Sequence, residues 1–227
     1  MDLPEYLLTL DTETTGVDVY NDRIVTAFAA LVDTRGTIHW MEDWIIDPVI
    51  DIPEGATAVH GITTEYAREY GEIASVGIKG IIDALSLPSR SGYPLVVYNA
   101  PYDLTLLNAE AERWNLEPFV PGIVYDPLVI DKGVDKWRKG KRTLSAAAEV
   151  YGIPWVGDAH DASADAIMSA KIAYKLLERP EVQNAFDTLG SMSVQREWKR
   201  QQAESLEEYL RRSDPSVVVE RGWPIYD

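Results

Sequence analysis

Three largely apolar stretches separated by turn residues occupy the first fifty positions of the chain, and farther on apolar residues recur at intervals of three and four. The first pattern is typical of strands, and the second is typical of amphipathic helices. We therefore predict strands over residues 6–12, 23–32 and 37–46, joined by turns into an antiparallel meander, and then a loop over 48–61. The later pattern predicts helices over 63–70, 75–85, 102–114, 144–151 and 193–212, strands over 95–98 and 123–126, and a helix that runs through Ala170, Ala173, Tyr174 and Leu177. This order of elements predicts an α/β fold with a mixed sheet, flanked by helices and followed by a C-terminal helical extension.

Two acids follow the first predicted strand. Asp11 and Glu13 stand two positions apart behind the apolar run 6–10, so their side chains share one face of the strand, with α-carbons about 6.6 Å apart. Like charges held this close at the end of a buried strand repel each other unless a cation neutralises them. The chain has 37 acidic residues, so such a pair also arises by chance. Alone it is a weak indication of a metal site.

Two later segments place further acids at the starts of helices. Asp103 follows the predicted strand 95–98 and the break at 99–101, beyond a strand's carboxyl end, where open α/β sheets commonly build their sites. His160 is predicted in a loop, and Asp165, five residues later, in the first turns of the next helix. An acid in a first helical turn is common without any function. A histidine just before it is less common in a chain with three histidines.

In this order, the three segments resemble the DnaQ-like (DEDDh) 3′–5′ exonucleases of the ribonuclease-H-like superfamily, a group named after four acids and a histidine. Further marks agree with the resemblance: Thr14-Thr15-Gly16, Val59-His60-Gly61-Ile62-Thr63, and Thr143-Leu144 opening the helix 144–151. The resemblance covers residues 6–178. It implies a ribonuclease-H-like mixed β-sheet in which three antiparallel strands precede parallel ones, an exonuclease domain over 1–180, and a helical extension with a tail over 181–227.

The resemblance also implies two Mg²⁺ or Mn²⁺ ions held by Asp11, Glu13, Asp103 and Asp165. Asp11 would bridge both ions, Glu13 and Asp165 would bind the ion that carries the nucleophilic water, and Asp103 would bind the second ion. His160 would take the proton from that water, because its ordinary pKa of about 6.5 suits a base that works near neutral pH. Two ions about 3.5–4 Å apart can stabilise both the attacking and the leaving oxygen of an in-line displacement.

Six further residues are predicted to form the substrate site: Thr12, Thr14, His60, Ile62, Asn99 and Tyr102. The resemblance places His60, Ile62 and Tyr102 against the terminal nucleotide. The backbone at Thr12 and Thr14 would meet the 3′-hydroxyl, and the ring of Tyr102 would pack on a sugar or base. A position for Tyr102 in the core is almost as well supported. Asn99 is expected to brace the turn before Asp103 by hydrogen bonding.

Composition excludes several other kinds of site. The chain has no Cys and three scattered His, which disfavours structural zinc, and it lacks both a Gly-x-Ser-x-Gly elbow and a Walker loop. A carboxylate pair for glycoside hydrolysis would leave His160 without a role. No run approaches the eighteen apolar residues of a membrane span, and no signal-peptide pattern begins the chain, so we expect a cytoplasmic protein without membrane contact.

The net charge of the chain and its local distribution favour opposite conclusions about binding to nucleic acid. The net charge of −16 is unusual for a protein that binds a phosphate backbone. Residues 132–142, however, carry six cations and one acid around Trp137, a combination that could hold a strand and stack on a base. A basic segment of this kind is more often a solvated loop without a function, but we favour contact with the substrate.

We therefore predict a metal-dependent 3′–5′ exonuclease that releases nucleoside 5′-monophosphates from single-stranded DNA, in proofreading, repair or turnover. An exoribonuclease that trims short RNAs is the nearest alternative, because no motif reports on the 2′-hydroxyl. A non-catalytic binding module with the same fold is disfavoured, because all five expected residues are present. A polymerase or another replication partner, and the oligomeric state, are left open.

Overall fold

A six-stranded mixed sheet forms the centre of the computed structural model, which describes residues 2–154 and 161–227. The strands are ordered β4-β3-β2-β1-β5-β6. The first three pair antiparallel, whereas β5 is parallel to β1, β6 to β5 and β4 to β3. Their bounds are β1 Tyr6–Thr14, β2 Ile24–Asp33, β3 Ile38–Asp47, β4 Glu72–Ile73, β5 Leu95–Val96 and β6 Val124–Tyr125. The predicted fold class, three antiparallel strands followed by parallel ones, is confirmed.

Helices cover both faces of this sheet. Within the described residues they are α1 Glu54–His60, α2 Thr64–Tyr70, α3 Ala74–Arg90, α4 Ala100–Arg113, α5 Pro127–Val134, α6 Leu144–Val150, α7 Ala162–Leu177, α8 Pro180–Leu189 and α9 Ser191–Leu210. No helix in this part of the chain combines the length and the apolar composition that crossing a bilayer requires.

The alternation along β1 distributes its side chains between two cores. Leu8 and Leu10 belong to the apolar cluster that includes residues of α3 and α4, whereas Leu7 belongs to the cluster that includes residues of α7. Thr9, on the same face as Leu7, donates a hydrogen bond to the Ala166 carbonyl of α7 at 2.8 Å. The odd positions of β1 therefore face α7, and the even positions face α3 and α4. An acid at the end of β1 therefore faces α7 if its position is odd, and faces α3 and α4 if its position is even.

The structure adds to the predicted elements or extends them in four places. The predicted loop 48–61 contains α1, a seven-residue helix that buries no residue and so leaves no apolar periodicity to detect. The predicted helix 75–85 begins one residue earlier and continues to Arg90, with Pro88 inside its last turn, although a Pro there removes one backbone hydrogen bond. Helix α5 was not predicted, and the predicted helix 193–212 is α9, Ser191–Leu210, preceded by α8.

The C-terminal segment packs against the sheet. In α9, the Gln195 amide accepts from the backbone N–H of Asp126 and donates to the Val124 carbonyl, both at 2.8 Å. In the tail, Trp223 is only 3% exposed and belongs to the larger apolar core. The backbone N–H of Tyr226 donates to the Thr105 hydroxyl of α4. The division at residue 180 stays a prediction, and the tail reaches the core of the first segment.

Candidate active site

Three carboxylates meet at the carboxyl end of β1. Asp11 and Glu13 occupy consecutive odd positions of the strand and therefore face α7, and Asp165 lies in the first turn of that helix. One carboxylate oxygen from each lies within 4.8 Å of the others. Asp161 caps α7 by accepting from the backbone N–H of Ser163 at 3.0 Å, which fixes where the helix begins and hence where Asp165 stands.

Asp103 approaches the same strand end from the other side. It lies in the first turn of α4, is 4% exposed, and accepts a 2.6 Å hydrogen bond from the hydroxyl of Thr12. Thr12 occupies an even position of β1, which explains why it faces α4. Asp103 is outside the group of three whose oxygens all lie within 4.8 Å. Its charge is nonetheless close enough to raise the pKa of Asp11.

The electrostatic state of these acids is unfavourable without a counter-ion. Burial raises the pKa of Asp11 well above its usual value, and the charges of Asp103, Asp165 and Glu13 raise it further. Burial, followed by the charges of Asp165 and Asp103, raises the pKa of Glu13 to about 8. Burial raises the pKa of Asp103 to about 7, although the hydrogen bond from Thr12 opposes the shift. Without a cation, these acids would hold protons near neutral pH.

This donor set fits a hard divalent cation. The four acids supply only oxygen ligands, which Mg²⁺ and Mn²⁺ prefer, and the three clustered oxygens leave space in the coordination shell for water or a substrate phosphate. A bound cation would also remove the repulsion that raises the pKa values of Asp11 and Glu13. The geometry and the electrostatics therefore agree on a metal site.

Replacing Glu13 by Gln is expected to stabilise the metal-free protein, and more so at higher pH. The pKa of the Glu13 carboxyl is about 8 in the folded state, against an ordinary value of 4.5, so the folded state retains a proton that the unfolded state releases. Its stability therefore falls as pH rises through this window, whereas the Gln variant lacks this loss. In the presence of EDTA, the difference in Tm should widen to several degrees between about pH 5 and pH 8. A difference that stays constant across this range would contradict the argument. His60 does not disturb the comparison, because it is present in both proteins.

The turn that carries Asp103 is held by a residue that the sequence analysis missed. The buried Asp126 carboxylate accepts hydrogen bonds from the backbone N–H groups of Asn99 and Ala100, each at 3.0 Å, and from Leu128 N–H. It also accepts from the indole N–H of Trp223 at 3.3 Å. These bonds fix the start of α4, and with it Asp103. An Asp directly before a Pro, at a strand's end, is typical of a helix start and could have identified Asp126.

Asn99 takes part in the hydrogen bonding of this turn through its backbone and not through a side-chain cap. Asn99 is the N-cap of α4, but its side chain makes no capping hydrogen bond. Its backbone has φ 65°, in the left-handed region, which Asn tolerates better than most residues. Asn99 therefore shapes the turn through its backbone, while Asp126 supplies the hydrogen bonds.

The ring of Tyr102 lies beside the strand end. Its hydroxyl is 2.6 Å from the Thr14 hydroxyl, and both hydroxyls donate to the Gly16 carbonyl. Gly16 itself lies so close to Asp22 that a Cβ at this position would come within 2.5 Å of the carboxylate. Burial raises the pKa of Tyr102 to about 12, so the hydroxyl stays neutral. The Tyr102 side chain is half-buried, which leaves part of it exposed next to Asp103.

A cavity of about 760 Å³ opens from Glu13 toward α1 and α7. Two of the predicted substrate residues, His60 and Ile62, line it together with Trp44 and Ile167. The His60 ring accepts a hydrogen bond at Nδ1 from the Ile62 backbone N–H at 3.2 Å, and burial lowers the pKa of His60. The cavity is therefore bounded by the His60 imidazole, by apolar side chains and by the Glu13 carboxyl group.

His160, the predicted general base, lies outside the described residues, and its neighbour Asp161 is the first described residue after the gap. The structure therefore brings together Asp11, Glu13 and Asp165, places Asp103 against Thr12, and places Thr14 against Tyr102. His60 and Ile62 line the cavity that opens from Glu13.

Comparison with known proteins agrees with this architecture. The model of the RNase_T family, described as exonuclease, matches residues 8–173. The uncharacterized exonuclease CP81 of Escherichia phage 186 is 31% identical over 177 residues, which is 72% of this chain and 84% of the phage protein. The DNA polymerase III subunit epsilon of Rickettsia conorii is 26% identical over 180 residues, which is 74% of this chain and 72% of the subunit.

Solved structures of Escherichia coli exonuclease I share the fold. The complex with a dT13 oligonucleotide has a TM-score of 0.69 at 21% identity, and the zinc-bound complex with single-stranded DNA has a TM-score of 0.68 at 21% identity. The match covers 82% and 84% of this chain but only 43% of each exonuclease I chain, so this protein corresponds to less than half of exonuclease I. The chain therefore belongs to the RNase_T exonuclease family, DnaQ-like enzymes with the ribonuclease-H-like fold that hydrolyse nucleic acid.

Proposed function

We propose that this protein is a metal-dependent 3′–5′ exonuclease that removes nucleoside 5′-monophosphates from the ends of single-stranded DNA. The observation that supports this function best is the grouping of Asp11, Glu13 and Asp165, whose carboxylate oxygens lie within 4.8 Å of one another. Asp103, held by Thr12, supplies a fourth acid at the same strand end. A cluster of this kind is costly in a folded protein unless it binds a cation.

In this proposal Asp11, Glu13, Asp103 and Asp165 would hold two Mg²⁺ or Mn²⁺ ions. When bound, such a pair stabilises the charge on the phosphate oxygens and acidifies a bound water. Thr12 keeps the Asp103 carboxylate in place by donating its hydroxyl proton at 2.6 Å. Asp126 keeps the α4 turn in place through the N–H groups of Asn99 and Ala100. The imidazole of His160 takes the proton of the attacking water at a ring nitrogen.

The terminal nucleotide would occupy the space around the acids. We assign Thr12, Thr14, Asn99 and Tyr102 to one side of it, and His60 and Ile62 to the other, along the cavity that opens from Glu13. The complexes of exonuclease I with dT13 and dA16 oligonucleotides support a single-stranded substrate. The similarity to DNA polymerase III epsilon subunits supports a DNA substrate and a polymerase as partner.

One assay tests this function directly. The purified protein is incubated with 5′-labelled DNA and RNA oligonucleotides of the same sequence, with Mg²⁺ or Mn²⁺ added or with EDTA. We expect a ladder of products shortened from the 3′ end, with free nucleoside 5′-monophosphates, on DNA and only in the presence of metal. Degradation of RNA alone would replace the DNA substrate by RNA. Absence of degradation of either oligonucleotide with both metals would overturn the proposal.

Replacing His160 by Ala is expected to lower kcat about a hundredfold or more, because a positioned general base contributes roughly 10²–10⁴-fold to proton transfer. Mn²⁺ binding should persist, because the four carboxylates are unchanged. The measurements are kcat on the DNA oligonucleotide and the rise in Tm that Mn²⁺ produces. His39→Ala is a matched control, since His39 lies on β3 and contacts Asp33, away from the clustered acids. Equal kcat in His160→Ala and wild type would remove His160 from the mechanism.

A further inference from the structure

The segment 132–142 is clamped to the body of the protein by a buried carboxylate. Asp131, whose side chain has no exposed surface, accepts hydrogen bonds from Arg138, from Arg142 at 2.7 Å and from the Tyr151 hydroxyl. Arg142 also donates to the carbonyls of Asp135 and Arg138. Two of the six cations in this segment are therefore used internally, which satisfies the buried acid and holds the loop in one conformation.

Three of the remaining four cations are exposed, whereas Lys132 is partly buried. The exposed ones are Lys136, Lys139 and Lys141, and within the described residues no carboxylate lies within ion-pair distance of them. Trp137 is 86% exposed, and the Lys136 ammonium lies 5.4 Å from its ring centroid. A rigid loop that displays a large aromatic ring among free cations, on a protein of charge −16, offers both a stacking surface and a local positive field.

A groove of about 490 Å³ separates this loop from α9. Its floor is closed where the Trp198 ring packs on Gly133, since a Cβ at Gly133 would lie 2.4 Å from the ring. Its far wall includes Leu206 and Tyr209 of α9, and Tyr209 is 64% exposed, with the Arg212 guanidinium 5.9 Å from its ring centroid. Two exposed aromatic rings, each beside a cation, therefore face the same groove.

The groove adjoins the edge of the sheet where the acids lie. The Tyr98 hydroxyl donates to the Arg142 carbonyl at 2.7 Å, which ties the clamped loop to the segment directly after β5. Asn99, the next residue, begins the turn that carries Asp103. A strand whose 3′ end lies at the acids could therefore continue over this loop.

We propose that this groove holds the part of a single DNA strand that lies behind its 3′-terminal nucleotides, with bases stacked on Trp137 and Tyr209 and phosphates near Lys136, Lys139 and Lys141. The inference rests on the proposed nuclease function. Nucleic acid fits this surface better than an acidic protein segment does, because an acidic segment would use the lysines but has no flat rings to stack on the exposed aromatic side chains.

Binding is measured first without turnover. Anisotropy of a fluorescein-labelled oligothymidylate of about sixteen nucleotides, in EDTA, reports its Kd for wild type and variants. Trp137→Ala should weaken binding about tenfold, because stacking on one aromatic ring contributes about 1–3 kcal/mol per base. The double variant Lys136→Ala/Lys139→Ala should lower the slope of log Kd against log salt by about 1.4, the value for two cations on a single strand. Tyr70→Ala and Lys79→Ala are controls, because both side chains are exposed on other helices.

Rates of hydrolysis then distinguish a role of the groove in binding from an effect on the acid cluster. With Mn²⁺, Trp137→Ala should raise KM about tenfold on the long oligonucleotide, at unchanged kcat, and should leave hydrolysis of the p-nitrophenyl ester of thymidine 5′-monophosphate unchanged. The rise in KM should disappear as the oligonucleotide is shortened. An equal loss on the ester would mean that the variant disturbs the acids, and would overturn the groove assignment.

The outcomes distinguish this inference from the proposed function. Binding that depends on Trp137, in a protein that degrades neither DNA nor RNA, would support the groove and overturn the nuclease proposal. If the protein degrades DNA and Trp137→Ala does not change the Kd, the nuclease proposal would be supported and the groove assignment overturned. Displacement of the oligonucleotide by polyglutamate, with sensitivity to the lysine variant but not to Trp137→Ala, would reassign the surface to an acidic protein partner and overturn the inference.

Discussion

Replacing Asp11 by Asn should lower turnover of single-stranded DNA about a thousandfold or more while the protein stays folded. Asn keeps the shape of the side chain but removes the charge that Asp11 contributes to the cluster with Glu13 and Asp165. Metal ions stabilise the transition state of phosphodiester hydrolysis by several kcal/mol, and each 1.36 kcal/mol changes the rate about tenfold. Loss of the Asp11 charge should remove most of this stabilisation.

Metal binding provides an independent measurement of the same change. At a concentration of about 100 times its Kd, Mn²⁺ should stabilise the wild-type protein by about 2.7 kcal/mol, which corresponds to a rise in Tm of several degrees. Asp11→Asn should show little of this rise. Because burial and neighbouring acids already disfavour the charged form of Asp11, as the raised pKa indicates, the metal-free variant should be at least as stable as wild type.

Asp83→Asn is the matched control for this experiment. Asp83 is an exposed acid on α3 that pairs with Lys79, and its replacement should change neither turnover nor the effect of Mn²⁺. Near-normal turnover in Asp11→Asn at the same Mn²⁺ concentration would show that the acid cluster does not perform the reaction. The proposed function would then have to be abandoned.

Replacing Trp223 by Ala should cost about 3–5 kcal/mol of unfolding free energy, the usual range for a buried aromatic residue in a core. Trp223 is 3% exposed, belongs to the larger apolar core, and donates its indole N–H to Asp126. For a chain of this length, this loss should lower Tm by about 6–20 °C. Thermal unfolding in EDTA, followed by circular dichroism, measures it without any contribution from bound metal.

Two further variants separate packing from hydrogen bonding. Trp137→Ala removes the same side chain from a position that is 86% exposed, and should change stability by no more than about 0.5 kcal/mol. Trp223→Phe keeps most of the packing and removes only the donor to Asp126, so it should cost about 1 kcal/mol for the hydrogen bond and a further fraction for the smaller ring. Equal Tm values for Trp223→Ala and Trp137→Ala would mean that the tail does not pack on the core in solution.

The contact between Trp223 and Asp126 also connects the C-terminal tail to the proposed catalytic acids. Asp126 receives the indole N–H from the tail and the Asn99 and Ala100 N–H groups from the start of α4. The family model matches residues 8–173, whereas this support for the turn before Asp103 comes from residue 223. Loss of the tail is therefore expected to affect the acids through the α4 turn as well as through general stability.

Local patterns in the sequence were sufficient for much of the sheet. Strands β1, β2 and β3 lie within two residues of their predicted bounds, because each is a largely apolar stretch of nine or ten residues bounded by turns, and each pairs with a neighbour in the chain. The placement of Asp11 and Glu13 on one face followed from the two-residue repeat of side chains along a strand. Thr143 opens α6 as the motif predicted, since its hydroxyl accepts from the Ala146 N–H.

Other features left no periodic signal. Helix α1 buries no residue, so no apolar stripe marks it, and β4, β5 and β6 have two residues each, too few for alternation to define their ends. The basic run 132–142 looked uniform in the sequence. Only the structure separates Arg138 and Arg142, which bind Asp131, from the exposed Lys136, Lys139 and Lys141.

By itself, the sequence determined the antiparallel strands β1 to β3, the exonuclease family and the acids on which the proposed site depends, because each is encoded by a local pattern, by short spacing or by motif order. Only the tertiary structure decided which distant residues hold those acids in place. Asp126 and Trp223 are 97 positions apart, as Thr12 and Asp103 are 91 apart, and no local pattern relates residues so distant in the chain. Such contacts exist only after the parallel strands and the tail have packed into one core, since packing rather than local preference brings them together.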